Sequence, residues 1–230
     1  MSPDVVLILF QVLVLVFAFS VHESAHAYTA MRLGDPTAYM LGRVTLNPLK
    51  HLDPIGSVLI PLIGLFTGGW LIGWAKPCPV TPRNFRNMRR DDILTSLAGP
   101  ASNLAMAATA LLLLVILKRF VPGGAISLAA AMATANHFSL DLTGITLFPV
   151  AMLLYYGILI NLLLFVFNLI PLPPLDGSHI LRQFLPPALD QAYSRIGIWG
   201  FLLFFMLGGR VIGMFYNPLL ATFNGLLATL

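Results

Sequence analysis

The sequence predicts an all-α polytopic membrane protein: about four transmembrane helices, a re-entrant segment and a small membrane-associated β-sheet, in a single domain of residues 1–230. Three observations carry that prediction. Hydrophobic residues make up 58% of the chain and charged residues only 10%, against about a quarter charged in ordinary soluble domains. Several apolar segments are long enough to cross a bilayer. The basic residues, finally, segregate to one side when four spans are drawn. With a mean hydropathy of +0.87, a water-soluble fold of this size would have more apolar surface than its interior can hold. This excludes a soluble enzyme, a disordered segment and a nucleic-acid-binding domain. One cysteine, Cys78, excludes intrachain disulfides and multi-cysteine metal sites.

The first apolar segment, 4–33, reads as one helix ended by Gly34-Asp35-Pro36. Pro3 to Leu33 would span roughly 45 Å at 1.5 Å per residue, ample for a bilayer of about 30 Å. It is expected to be retained and not cleaved as a signal peptide: Asp4 precedes it, no Lys or Arg does, and no small-residue cleavage site closes it. In 37–53, Tyr39–Leu41 and Arg43–Leu46 read as short strands about Gly42, with Asn47-Pro48 as a turn. The stretch 54–74 carries Pro54, Gly56, Pro61, Gly64, Gly68, Gly69 and Gly73, a poor composition for a continuous helix. It reads as re-entrant or interfacial, shielded by other helices. Spans follow at 93–117, 146–170 and 196–216, with Pro122–Thr143, rich in small residues, as an external loop or short hairpin.

Charge placement supports this layout. Four spans put Arg32, Arg43, Lys50, Lys76, Arg83, Arg86, Arg89, Arg90, Arg182 and Arg195 on one side, and Lys118 and Arg119 on the other. The first side is then cytoplasmic. Counting 54–74 as a full span would divide the cluster. The excess of base, net +4 with a pI near 9.5, is a topology anchor, and no nucleic-acid partner is expected.

His22-Glu23-Ser24-Ala25-His26 is an H-E-x-x-H motif. On a helix, an i, i+4 pair places both imidazoles on one face, able to hold one Zn2+, with Glu23 adjacent as general base toward zinc-bound water. At this composition the motif arises by chance with odds of roughly one in 2,000. The alternative is a pair of buried structural histidines, which leaves unexplained an ionisable Glu in a membrane segment. A catalytic zinc needs a third protein ligand. Glu23 is the only glutamate, so a Glu ligand is impossible, and Thr29 and Arg32 stand where the metzincin extension requires Gly and His. His51, His137, His179 and the aspartates remain. Asp176 is favoured: it follows the 146–170 span at a helix-breaking Pro171, Pro173, Pro174 and Gly177 cluster, at a depth matching that of His22, about 27 Å along its helix from Asp4. A loop or capping Asp is the plainer reading.

H-E-x-x-H in a membrane helix, with Asn168, Pro171, Asp176 and Gly177 as N-x-x-P-x-x-x-x-D-G, resembles the site-2 protease family of intramembrane zinc metalloproteases. Gly73–Pro77 and Ala98–Asn103 are also similar to family segments, and the resemblance runs from about residue 20 to 185. It implies one Zn2+ on His22, His26 and Asp176, activation of water by Glu23, and assistance at the scissile carbonyl by Asn168 and Asn103. It implies endoproteolysis within transmembrane segments of substrate proteins, single-span proteins or remnant signal peptides, as in regulated intramembrane proteolysis. The expected setting is the lipid bilayer of a prokaryotic plasma membrane, the site near its cytoplasmic side. No PDZ or CBS domain of the kind carried by larger members is expected. The 37–53 strands could bind an unwound substrate by β-addition or serve packing alone; His51 lies near them with a direct site role the lesser reading, and His179 and His137 read as loop histidines. Two other classes compete: a membrane metal-binding or transport protein using the same three residues, and a catalytically silent relative that binds helices without cutting.

Overall fold

The computed structural model describes residues 3–59, 75–136, 144–207 and 209–230. Helix α1 is Pro3–Leu33, α2 Thr37–Met40, α3 Met88–Phe120, α4 Gly124–Ala135, α5 Phe148–Asn168, α6 Asp176–Arg182, α7 Pro187–Leu207 and α8 Gly209–Thr229. Of these, α3, α5, α8 and residues Val5–Leu33 of α1 are long and apolar enough to cross a membrane. The chain is an integral membrane protein on that basis.

Helices α1, α3 and α5 pack together. On α3 the buried face is Gly99, Asn103, Ala107, Ala110, Leu114 and Leu117, a spacing of three to four residues that aligns them on one side. Its first half is small. That allows close approach, and a Cβ placed on Gly157 of α5 would lie 3.3 Å from that of Ala110. Ala151, Met152, Tyr155, Ile158 and Leu162 of α5 complete the core, joined by Leu128 and Ala131 of α4 and by Phe223 and Leu227 of α8. Because lipid tails are as apolar as these side chains, the packing draws on dispersion and interhelical hydrogen bonds more than on hydrophobic transfer. Gln11 Nε2 donates to the Tyr156 hydroxyl at 2.9 Å, and the Tyr155 hydroxyl to Asn224 Oδ1 at 3.2 Å; such bonds contribute about 0.6 kcal/mol each.

The N-terminus of α3 is closed reciprocally: Asn87 Oδ1 accepts from Arg90 N, and Asp91 Oδ2 accepts from Asn87 N. Its far end reaches α8. Lys118 Nζ donates to Leu227 O at 2.6 Å and Ala228 O at 3.1 Å, while the Arg119 guanidinium donates to Thr229 O and Leu230 O. The last carbonyls of α8, which no helix satisfies internally, are thus taken by two cations.

Three expectations are corrected. The small sheet is not present: among the described residues the only pairing is an isolated antiparallel bridge, Leu52 to Ala75. Thr37–Met40 is a helical turn whose bonds continue through Gly42 N to Tyr39 O and Arg43 N to Ala38 O, and Gly42 turns the chain at φ 66°. The guanidinium of Arg43 is itself buried and donates to the carbonyls of Lys50, Lys76 and Pro77. Local bonds and one side chain therefore replace a strand partner. Second, the expected 196–216 span runs across two helices, α7 and α8, and the membrane-length apolar helix of the two is Gly209–Thr229. Third, the expected 122–143 loop contains α4, started at Gly123 with φ 79°. Of the re-entrant stretch, 54–59 form a short π-helical segment, while 60–74 lie outside the described residues, as does His137.

The turn after α1 is held by Asp35. Its carboxylate, fully buried, accepts from Thr37 N at 3.1 Å, Thr81 N at 2.7 Å and Asn84 Nδ2 at 2.9 Å. Burial pushes this carboxyl up, but the hydrogen bonds from Thr37, Thr81 and Asn84 outweigh it and hold the group below the usual carboxylate range.

Candidate metal centre

His22 and His26 stand one turn apart on α1, both buried, because α1 passes α3 where Gly99 leaves room. A Cβ on Gly99 would fall 2.5 Å from His22 Nε2 and against His26 Nε2. Asp176, at the start of α6, arrives from the other end of the sequence. The chain leaves α5 at Asn168, turns through Pro171 to Pro174 with a cis Pro173-Pro174 bond, and re-enters a helix. Gly177 permits that return: a Cβ there would meet Ile170 O at 2.6 Å.

The three donors converge. His22 Nε2 lies 3.0 Å from His26 Nε2 and 3.1 Å from Asp176 Oδ2; His26 Nε2 lies 3.3 Å from Asp176 Oδ1. Ligands about 2.0–2.1 Å from a tetrahedral zinc are about 3.3 Å apart, so these separations suit it. The hydrogen bonding points the same way. His22 Nδ1 is 2.6 Å from Asn103 Oδ1 and His26 Nδ1 is 2.7 Å from Thr95 O. Both partners are acceptors, so both Nδ1 atoms carry a proton and the neutral rings turn Nε2 lone pairs toward one another. Asp176 Oδ2 has no hydrogen-bond donor. Lone pairs from three sides call for a cation, and two imidazoles with a carboxylate suit Zn2+.

Glu23, next in sequence to His22, keeps Oε2 buried without a hydrogen-bond partner, an acceptor left open beside the donor set. Asn168 Nδ2 bonds back to Leu164 O at 3.0 Å, at the last turn of α5. Asn103 is fully buried between His22 and Asn161, its Nδ2 donating to Asn161 Oδ1 at 2.8 Å. Among the alternative ligands, His51 is buried with Nε2 2.8 Å from Thr45 O and 3.4 Å from Ser24 Oγ and does not join the clustered ligand atoms, and His179 is an exposed residue of α6, on a helix and not in a loop. His22, His26 and Asp176 are the group among the described residues whose ligand atoms all lie within 4.8 Å of one another. Sequence reasoning missed Thr95 and Asn161. The carbonyl of Thr95 leaves no trace in sequence, but Asn161 is a polar residue in the middle of an apolar span, a costly placement that calls for a reason.

A family model, Peptidase family M50, matches residues 10–207. The chain is 40% identical over 206 residues to "Putative zinc metalloprotease YwhC" of Bacillus subtilis, covering 89% of this chain and 82% of that protein. It is 32% identical over 182 residues to "Putative zinc metalloprotease Rip2" of Mycolicibacterium smegmatis, and 30% identical over 202 residues to the Rip2 protein of Mycobacterium tuberculosis H37Rv. The matches cover 79% and 85% of this chain but 60% and 66% of those two proteins, whose length it spans only in part. No solved structure matches the chain.

Proposed function

The chain belongs to peptidase family M50, the site-2 protease family, and from that premise we propose that it is a zinc-dependent endopeptidase that hydrolyses peptide bonds within transmembrane segments of other proteins. The observation that carries the reading is the convergence of His22, His26 and Asp176 with the open Oε2 of Glu23 one residue away. His22, His26 and Asp176 would hold the ion. When bound, Zn2+ supplies a Lewis acid that polarises a scissile carbonyl and acidifies water.

The chain's own residues do the rest. Glu23 takes a proton from the attacking water at its carboxylate and returns it to the nitrogen of the leaving amine. Asn168, at the helix end nearest Asp176 in sequence, orients the substrate carbonyl. Asn103, its Oδ1 committed to His22, acts on the ligand set. The burial of the centre among α1, α3 and α6 excludes bulk water, so charges that develop there meet fixed dipoles. A peptide bond inside a substrate helix is shielded, and the helix has to open before attack. The bilayer supplies the substrates, single-span proteins or remnant signal peptides, and bacterial relatives support a prokaryotic plasma membrane. The surplus of Lys and Arg on the side where α1 ends supports a centre toward the cytoplasm.

Cleavage of a tagged single-span reporter by purified protein in detergent tests this. Glu23→Gln is expected to lower the rate by about 10²–10⁴-fold while zinc content stays at the wild-type level. Equal cutting by wild type and variant would remove the assignment of the base.

A further inference from the structure

We propose that Asn161, in the middle of α5, is a positioning residue for the metal centre: acting through Asn103, it sets which nitrogen of His22 is left free for the ion. The inference rests on the reading of His22, His26 and Asp176 as the zinc ligands.

A chain of hydrogen bonds runs from a backbone carbonyl inward. Asn161 Nδ2 donates to Gly157 O at 2.8 Å. A carbonyl only accepts, so the amide nitrogen of Asn161 faces it and the amide oxygen faces α3. That oxygen accepts from Asn103 Nδ2 at 2.8 Å, which turns Asn103 Oδ1 toward His22 Nδ1 at 2.6 Å. An oxygen there requires a proton on Nδ1, and Nε2 is left with its lone pair toward His26 and Asp176. Each link removes an ambiguity that an Asn amide or a His ring otherwise keeps. The relay is dry: Asn103 is fully buried and Asn161 1% exposed, so no water competes for either amide. It also has a direction. An interhelical bond that served packing alone would hold with both amides reversed, whereas here reversal would put an NH2 group against a ligand.

His26 shows why the longer device is needed. Its Nδ1 meets Thr95 O directly, a carbonyl whose polarity is built into the backbone. No backbone carbonyl serves His22, and two side-chain amides carry the polarity of Gly157 O across from α5 instead. The close approach of the two helices at Gly157 and Ala110 brings the short side chains within reach.

Zinc affinity of the purified full chain, measured by competition with a chromophoric chelator, tests the proposal, with the tautomer of His22 read from 15N chemical shifts of the zinc-free protein. Asn161→Leu is expected to weaken zinc binding by about 10–100-fold and to give a mixture of His22 tautomers. Asn161→Asp, protonated in this apolar setting, keeps a donor toward Gly157 O and an acceptor toward Asn103, and is expected to bind within about threefold of wild type with the Nδ1–H tautomer intact. If Asn161→Leu does not fold, Asn161→Ala carries the same expectation. Wild-type affinity and a single tautomer in the Leu or Ala variant would overturn the proposal, as would equal losses in the Leu and Asp variants. His22→Ala separates the two readings: retained zinc there defeats the ligand assignment itself, whereas lost zinc there beside intact binding in Asn161→Leu defeats the relay alone.

Discussion

Gly99→Ala sets the geometry of the centre against the stability of the fold. The added methyl would lie 2.5 Å from His22 Nε2 and against His26 Nε2, where ordinary contact begins near 3.4 Å. The rings would have to retreat by about 0.9 Å, several times the tolerance of about 0.2 Å on a metal–ligand bond. They are not free to do so without cost, since Asn103 holds one and Thr95 O the other. The three donors then no longer share a focus. Spreading roughly 10–16 kcal/mol of zinc binding over four ligands makes the loss of one about 3 kcal/mol, a weakening of about a hundredfold. The fold itself should barely respond. Ala gains about 1 kcal/mol of helix propensity over Gly, against about 1–3 kcal/mol for overpacking, a net cost of about 0–2 kcal/mol. Chelator competition for zinc, paired with thermal melting of the zinc-free protein, separates the two quantities. A Gly99→Ala protein with zinc affinity within about threefold of wild type would refute the placement of the donor focus against α3.

Asp35→Asn is expected to destabilise the protein by roughly 3 kcal/mol at neutral pH, since a buried carboxylate with several donors is replaced by an amide. Because the folded carboxyl lies below its unfolded value, its contribution is full above that value, about 3.9, and is lost as pH falls through the folded one. The gap between variant and wild-type melting should therefore close on acidification below about pH 4, and a constant gap would speak against the assignment. Burial pushes the Cys78 thiol up to about 12, with the Glu23 charge adding to the effect. Maleimide labelling at pH 7.5 should accordingly run about a thousandfold slower than for a free cysteine; labelling at the free rate would contradict the burial.

How much was legible in the sequence depended on where each bond is made. The convergence of His22 and His26 is legible because a helix fixes the i, i+4 relation within one segment, and that of Asp176 because helix breakers and a span boundary limit its depth. The first three spans were readable because polarity changes sharply at their ends. Strands at 39–46 are not what forms because alternation of apolar residues does not say how the backbone groups will be paired; here the turn bonds of α2 pair them locally, and the guanidinium of Arg43 donates to the carbonyls of Lys76 and Pro77. The last span is hard to place from sequence because apolar residues run on both sides of the junction of α7 and α8, interrupted by no more than Gly208, Gly209 and Arg210. α4 reads from sequence as an external loop or short hairpin because its small residues signal neither a face nor a boundary, although Ala favours helix strongly. Asn161, unlike Asn168 two turns further on, belongs to no motif, and what it touches is 58 residues away.

The pair of cations at the end of α3 bears on where the bilayer surface lies. Lys and Arg next to a span normally mark the headgroup level, since each has to reach water or phosphate. Lys118 and Arg119 instead find their oxygen atoms on α8, at the helix terminus where partial negative charge gathers. An ammonium and a guanidinium solvated by protein in this way can sit deeper in the hydrocarbon than a free side chain could, and the unpaired carbonyls of α8 descend with them. The end of the bundle remote from the metal centre thus solvates its own cations, with the exposed apolar side chains of Phe120 and Val121 beyond them.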